Sequence, residues 1–498
     1  MSGQSEQFDV AIIGAGPGGY STALRAAELG MKVALIERDA TVGGTCLNRG
    51  CIPSKALITA THTIDTVHRA AELGVNASVE GIDFGTLRDY RLRMVDTMVR
   101  GLAGLLAHRG ITVLRAAASF NADQTDSDGR HIVHLLPSPG QSEIQAFHKA
   151  DVPEPAGAAL DVIAPNVVLA TGAAPRPLPG TPFAGALIDS TQALELNEFP
   201  SSAVIIGAGA VALEFASMWN AAGSNVTLLI RKDRVLSAWD RRSGMTLTRE
   251  LKRHGVNVIT RTAVTHVDVG ANLGATVHYT REGQDGEQSV WGEIALAAIG
   301  RTPLTDPAWA VDLMDGGYVV TDAYGRASKP GVWAVGDVTA GHALAHRAFE
   351  QGIVIAETLA GLHAKPVDED TVPQIVFSSP EAASVGLTIE QAQSREDLVE
   401  VKETVYPMMA NARMLMRGTA GSLTIVSGCD AADPDTPRVL GVHMVSPIAS
   451  DIIAEAEQLV GNRVPLSDAA RLIHPHPTFV EALGEALLKA DGRPLHTR

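Results

Sequence analysis

Two of the chain's three cysteines, Cys46 and Cys51, stand with four residues between them in "GGTCLNRGCIPSK", with Lys55 closing the stretch. Thiols this close suit three chemistries: a structural disulfide, half of a metal site, or a redox pair that opens and closes. Three cysteines in 498 residues are too few for a secreted disulfide framework. Nor does a second cysteine pair follow at the spacing a structural zinc site needs, and no metal ligands are assigned. Cys429, in "IVSGCDAADPD", stands alone and reads as a partly buried spectator thiol.

The chain that must position these thiols is long enough for roughly two to four domains. Its net charge of −16 is spread along the sequence with no basic stripe, which argues against nucleic acid or an anionic membrane as a partner. The apolar stretch "FDVAIIGAGPGGYSTALRAAELG" follows acidic residues, is rich in glycine and has no stop-transfer segment after it. No membrane span is expected, and the expected location is the cytoplasm.

A repeat organises the first half. "DVAIIGAGPGGYSTALRAAELGMKVALIERD" (9–39) is echoed by "AVIIGAGAVALEFASMWNAAGSNVTLLIRKD" (203–233). Each reads as a buried strand, a glycine turn, an apolar helix and a second strand. Gly14, Gly16 and Gly19, with Gly18 beside them, align with Gly207, Gly209 and Ala212. Such turns let a pyrophosphate approach the backbone at a helix N-terminus. The copies differ where sugars are read. The first ends at Glu37, a carboxylate placed to hold ribose hydroxyls; the second has Ile230 there, followed by Arg231 and Lys232. Loss of the acid and gain of cations points to a 2′-phosphate. The first unit is therefore expected to hold an adenosine diphosphate such as that of FAD, and the second a nicotinamide dinucleotide, NAD or NADP with a lean to NADP.

Elsewhere, residues 56–110 read as helical, and the polar, proline-bearing stretch 137–159 as a surface loop or insertion. "NVVLATGAAPRPLPG" is a strand running into a crossover, and "GVWAVGDVTAGHALAHRAFEQG" a strand, an acidic turn and a helix. From Thr371 the pattern changes to shorter strands and two terminal helices, with "DGRPLHTR" as a loose tail. The apolar "VYPMMANARMLM" reads as core or dimer-interface packing.

Taken in order, "GAGPGG", "GGTCLNRGCIPSK", "ATGAAPRPLPG", "GAGAVALEF", "AAIGRTP", "VWAVGDV", "LAHRAFEQG", "SSPEAASVGLT" and "HPHPTFVEAL" resemble the FAD-dependent pyridine nucleotide–disulfide oxidoreductases over nearly the whole chain. The resemblance implies an α/β fold with two Rossmann-like dinucleotide-binding domains, for FAD and NAD(P), and a C-terminal α+β dimerisation domain. On this chain the segments are 1–185 and 306–370 for FAD, 186–305 for NAD(P) and 371–498 for the interface. It makes Cys46 and Cys51 the redox pair, with Cys46 exchanging with substrate and Cys51 facing the flavin. It makes His476 the base for the incoming dithiol and Glu481 its orienting partner, acting across a two-fold homodimer, with His474 supportive. Lys55 and Glu214 are implied as an ion pair beside the flavin. Gly14, Gly16, Gly18, Gly19, Glu37, Gly44, Thr45, Thr171, Gly172, Asp337, Ala345 and His346 are implied for FAD. Gly207, Gly209, Ala212, Arg231, Lys232 and Gly300 are implied for NAD(P).

"CIPSK", "LAHRA" and the doubled histidine of "HPHPT" resemble the branch of the family that acts on lipoamide. The expected reaction is oxidation of dihydrolipoamide, through the dithiol and FAD, by NAD(P)+. The implied partner is the lipoyl group of a 2-oxoacid dehydrogenase or glycine-cleavage complex, in a role that supports cell redox homeostasis. One departure matters: "LLIRKDRVL" resembles the NADP-specific glutathione reductases, although Ser237 stands where those enzymes carry a further arginine. An NADPH-dependent reductase of another disulfide or electrophile is therefore the alternative.

Overall fold

The computed structural model describes residues 4–147, 154–270 and 274–497. The chain divides into two compact units: Met1–Ala56, Gly85–Pro175 and Arg301–Glu369 form one, and Leu57–Phe84, Arg176–Gly300 and Asp370–Arg498 the other.

The first unit is built on a mixed sheet. Its strands run in the order Gln4–Gln7, Leu160–Ala164, His131–Pro137, Thr112–Thr125, Val33–Glu37, Val10–Ile13, Asn166–Leu169, Val332–Ala334. Val10–Ile13 pairs in parallel with Val33–Glu37 and with Asn166–Leu169, and all its residues are buried. Continuous apolar runs of this kind belong to parallel strands covered on both faces. One cover is the helix Pro17–Glu28, packed along Ala345–Leu359. Gly352 makes that contact close, since a Cβ there would lie 2.2 Å from Ser21 Oγ. Arg25 then pairs with Glu357 at 2.6 Å across the two helices.

Two expectations for this part of the chain need correction. Within 56–110, the helices Cys51–Arg69 and Phe84–His108 are separated by a 3-10 turn at Ala70–Leu73, and Gly74 then adopts φ +78 and ends it. The 137–159 stretch is not a bare loop. Gln145–Phe147 and Glu154–Pro155 pair with each other, the first also pairs with Thr112–Thr125, and Ile144 is fully buried. Prolines and polar residues hid that short apolar alternation; residues 148–153 of the stretch lie outside the described residues.

The second unit holds three sheets. Leu187–Ile188, Ile294–Ala297, Ser202–Ile206, Asn225–Ile230 and Asn257–Thr260 form a parallel sheet in that order. Thr262–Val269, Ala275–Arg281 and Gln288–Gly292 form an antiparallel one. The third is antiparallel, in the order Gln374–Val376, Glu381–Gly386, Asp433–Ser446, Ser422–Asp430, Leu398–Tyr406. Its core joins Tyr406, Ile425 and Met444 to Ile452, Leu483 and Leu487 from the helices Ala449–Gly461 and Glu481–Ala490.

Here too the sequence reading misjudged lengths. The strands after Thr371 are not all short: Gln374–Val376 has 3 residues but Asp433–Ser446 has 14, and the first part of the latter, "DPDTP", looks like a turn although Asp433 pairs with Asp430. A third, four-residue helix, Leu466–Ala469, lies between the two expected terminal ones. The tail is tied down as well, because His496 Nδ1 lies 2.8 Å from Glu485 Oε1 on the last helix. Among the described residues no helix is long and apolar enough to cross a membrane.

Candidate active site

The dithiol is set by two consecutive helices. Gly44–Arg49 carries Cys46, and Cys51 opens Cys51–Arg69 after a break at Gly50. Gly44 has φ +56, and a Cβ on it would come 2.6 Å from Gly16 Cα. Only a glycine therefore fits between the thiol helix and the first dinucleotide turn. Both thiols are unbridged and half-buried. A hydrogen bond to Cys51, then burial, then the charge of Cys51 push the Cys46 thiol well above its ordinary pKa, while Lys55 pulls it down. The pair therefore shares its hydrogen bond through Cys46, whose thiol is the harder to ionise next to a charged neighbour. The place of Cys51 at a helix N-terminus favours negative charge on its sulfur. Lys55 lies one turn further along the same helix.

The first glycine turn fits a dinucleotide pyrophosphate. Gly14 has φ +108, and a Cβ on it would fall 2.4 Å from Ala170 O; one on Gly19 would fall 1.8 Å from Gly14 O. Gly16 caps Pro17–Glu28 without a side-chain bond, which leaves bare amides at the helix start, and Gly18 is buried in its first turn. Glu37 is buried. Its Oε2 accepts from Ala15 N–H at 2.8 Å and its Oε1 from Asp39 N–H at 2.9 Å. Burial nonetheless raises its pKa. The carboxylate is thus tethered to the turn where the first ribose would lie. Thr45 follows Gly44 in the thiol helix.

Further along this unit, Thr171 Oγ1 donates to Leu304 O at 2.6 Å, and Leu304 N–H donates to Gly172 O at 2.9 Å. Asp337 sits in the turn Gly336–Val338, its pKa raised by burial and drawn back by Arg301 and Arg347. Ala345 and His346 open the helix Ala345–Leu359, which has no side-chain cap. Arg301 escaped the sequence reading. Its Nε lies 3.7 Å from Asp337 Oδ2, and it also donates to Ala173 O. "AAIGRTP" was read for its glycine, yet the arginine after it holds the acidic turn.

In the second unit, Gly207 has φ +142, and a Cβ on it would fall 2.2 Å from Ala298 O. Gly209 caps Ala210–Ala221 without a side-chain bond, and Ala212 is fully buried on that helix. Glu214 is also buried there, and its Oε1 accepts from Phe377 N–H at 3.2 Å. Gly300, at φ +117, offers its carbonyl to Arg176 N–H at 3.0 Å. Ile230 ends its strand buried. Arg231 and Lys232 then emerge exposed, with no side-chain partner among the described residues. Arg234 is different: it bends back to Asp233 and to Ser237 O, each at 3.1 Å.

The histidine loop belongs to the same unit. His476 Nδ1 lies 2.7 Å from Glu481 Oε2, the glutamate being the first residue of Glu481–Ala490. With Nδ1–H donated to the carboxylate, the Nε2 lone pair faces outward as a base. The His476 side chain is 78 % exposed. Asn411, which sequence reasoning passed over inside "VYPMMANARMLM", anchors this arrangement. Its Nδ2 donates to Thr478 O at 2.9 Å and to Glu481 Oε1 at 3.2 Å, while its Oδ1 caps Ala412–Arg417. The flanking stretch divides in two: Tyr406, Met408 and Met414 are buried, whereas Met409, Leu415 and Met416 are exposed.

His474 points inward instead. A Cβ on Gly484 would lie 2.3 Å from its Nδ1, so that glycine makes room for the ring. Both ring nitrogens face acceptors, Leu472 O at 3.2 Å and Glu455 Oε1 at 2.8 Å. The bond to Glu455 raises the His474 pKa. A raised histidine pKa contributes stability that is complete below the unfolded value and is lost as pH rises through the folded value. Glu455→Gln should therefore lower Tm by about 2 °C at pH 6 and by almost nothing at pH 9. An equal loss at both pH values in thermal melts would exclude the charged pair.

Comparison with known sequences decides the family. Residues 8–352 match the profile described as pyridine nucleotide-disulphide oxidoreductase, and residues 372–487 match the dimerisation domain of the same family. The chain belongs to the pyridine nucleotide-disulphide oxidoreductases. Dihydrolipoyl dehydrogenase of Geobacillus stearothermophilus is 33% identical over 495 residues, covering 98% of this chain and 97% of that one. Dihydrolipoyl dehydrogenase 3 of Pseudomonas aeruginosa is 35% identical over 497 residues, covering 98% and 99%. Among solved structures, LpdA from Mycobacterium tuberculosis superposes with TM-score 0.83 at 25% identity, over 97% of this chain and 99% of that one. The Cu(II) complex of RclA, an HOCl-induced flavoprotein disulfide reductase from Escherichia coli, gives TM-score 0.78 at 25% identity with the same coverage.

As a member of the pyridine nucleotide-disulphide oxidoreductases, the chain is an oxidoreductase that uses FAD and a pyridine nucleotide. Its second matched segment is a homodimerisation domain.

Proposed function

We propose that the protein oxidises dihydrolipoamide and passes the electrons to a pyridine nucleotide. The observation that carries this reading is the hydrogen-bonded Cys46–Cys51 pair, packed glycine to glycine against the first dinucleotide turn. In the homodimer the base that meets the substrate is the partner subunit's His476. It takes the proton of one substrate thiol. With the pair oxidised to a disulfide at the start of the cycle, the resulting thiolate attacks Cys46 Sγ, the Cys46–Cys51 bond breaks, and Cys51 leaves as a thiolate. The second substrate sulfur then attacks the first, its proton passing to Cys46 as Cys46 leaves as a thiol, which closes the lipoamide disulfide. Two electrons now reside on the two cysteines. Bound FAD supplies the two-electron carrier between these sulfurs and the nicotinamide.

Residues 1–185 and 306–370 bind FAD in this reading, residues 186–305 the pyridine nucleotide, and residues 371–498 the second subunit. Lys55 and Glu214 serve the flavin side. The substrate arrives as the lipoyl group of a 2-oxoacid dehydrogenase or glycine-cleavage complex, in the cytoplasm. Anaerobic titration of the yellow protein with dihydrolipoamide tests the scheme. One equivalent should raise a long-wavelength absorbance that Cys51→Ser lacks. If the wild type shows no spectral change with dihydrolipoamide, the substrate assignment is wrong.

The coenzyme of this scheme is NAD or NADP, and two cations favour NADP. Among the described residues Arg231 and Lys232 have no side-chain partner after the second strand of the second dinucleotide unit, where the ribose-binding acid of the first unit has no counterpart. Arg231→Glu should raise KM for NADPH about 10- to 100-fold and improve use of NADH, in line with the loss of a charge-assisted contact. Strong NADH preference in the wild type, unchanged in the variant, would refute the phosphate pocket. The same two cations favour a second reading, an NADPH-dependent reductase of another disulfide or electrophile. It predicts kcat/KM for lipoamide far below that for its true acceptor.

A further inference from the structure

The antiparallel sheet of the second unit carries a cluster with no part in the redox scheme. His266 and His278 are direct cross-strand partners on Thr262–Val269 and Ala275–Arg281. Their rings stack at 4.1 Å between centroids, with 8° between planes. Stacking aligns the two imidazoles edge to edge, so each carboxylate nearby meets both. Asp268 stands at the Nε2 edges: its Oδ2 is 3.1 Å from His278 Nε2 and 3.9 Å from His266 Nε2. Glu287 stands at the Nδ1 edges: Oε1 is 3.7 Å from His266 Nδ1 and Oε2 is 3.6 Å from His278 Nδ1. Thr265 Oγ1 fixes Glu287 Oε1 with a bond of 2.6 Å.

We propose that His266, His278 and Asp268 form a binding site for a late first-row transition-metal dication, Zn2+ above all, with Glu287 orienting the two histidines from behind. One ligand atom from each of the three residues lies within 4.8 Å of the others. Zinc bonds to nitrogen and oxygen of about 2.0–2.2 Å call for closer contacts, which side-chain rotation alone can supply because the backbone pairing already faces the groups together. Two imidazoles and one carboxylate suit Zn2+, Cu2+ or Ni2+ rather than Ca2+ or Mg2+, which take oxygen ligands. Ligating histidines characteristically donate their other N–H to a carboxylate, and Glu287 stands 3.7 and 3.6 Å from the two Nδ1 atoms, close enough for a small rotation to bring it into hydrogen-bond reach. Exposure of the cluster leaves a fourth position for water or a ligand from solution. The sequence gives little warning of such a site: "THVDV" offers one histidine and the aspartate two residues on, and the second histidine comes only after a strand reversal.

The test uses chelator-treated, FAD-loaded full-length protein with Cys46 and Cys51 oxidised, so that the dithiol offers no thiolate. Equilibrium dialysis against Zn2+ should find one ion per chain lost in His278→Ala and in His266→Ala, with affinity falling at least about tenfold. Glu287→Gln should keep the stoichiometry and weaken binding about 10- to 100-fold. Flavin absorbance and NADPH oxidation, unchanged in all three variants, certify folding. Zn2+ uptake by His266→Ala and His278→Ala equal to that of the wild type, or no uptake by the wild type, would overturn the proposal.

Discussion

Cys51→Ser is expected to purify as a folded, yellow homodimer that has lost lipoamide turnover by more than about a thousandfold, the scale that follows removal of a reacting nucleophile. The reason lies in the electrostatics of the pair. The hydrogen bond to Cys51 and burial push the Cys46 thiol up, while Cys51 has the helix N-terminus behind it and Lys55 one turn away. Cys51 is therefore the sulfur that holds charge after the substrate disulfide closes. Without it no Cys46–Cys51 disulfide can form, so the substrate thiolate finds no bond to break at Cys46 and no electrons enter. The dinucleotide turns do not depend on this sulfur, so oxidation of NADPH by an artificial acceptor such as ferricyanide should persist near the wild-type rate. Cys46→Ser should separate the roles, with the same loss of turnover but the long-wavelength absorbance retained at neutral pH. Near-normal lipoamide turnover in Cys51→Ser would remove the dithiol from the mechanism.

Much of this was legible before any coordinates, for a physical reason. Glycines at 14, 19 and 207 are demanded by backbone atoms less than 2.5 Å from where a Cβ would sit, and such demands leave a rigid pattern in sequence. Parallel strands buried on both faces leave another, a run such as "VAII". What stayed hidden depends on partners distant in the chain. Arg301 matters because Asp337 is beside it, and Asn411 because the loop 65 to 70 residues later folds back to meet it. The stacked pair His266 and His278 is likewise defined by register between strands. The prolines and aspartates of "DPDTP" read locally as a turn, yet antiparallel pairing overrode that preference and drew Asp433 into a long strand.

His476→Ala should reduce lipoamide turnover by about 10²- to 10⁴-fold, the range for a positioned general base, while sparing NADPH oxidation by ferricyanide. Glu481→Gln should cost less, about 10- to 100-fold, because the amide can still accept from Nδ1–H at the 2.7 Å distance but no longer stabilises the imidazolium that forms on proton transfer. The two residues act as one device, so His476→Ala with Glu481→Gln should be no slower than His476→Ala alone. The pH–rate profile separates this role from simple packing. In the wild type the rate should rise with the deprotonation of a single group, and that limb should vanish in His476→Ala. Asn411→Ala extends the test to the anchor: it frees Thr478 O and Glu481 Oε1 together, and should reproduce part of the Glu481→Gln loss. Additive losses in the double variant, or an unchanged pH limb in His476→Ala, would show that the proton leaves the substrate by another route.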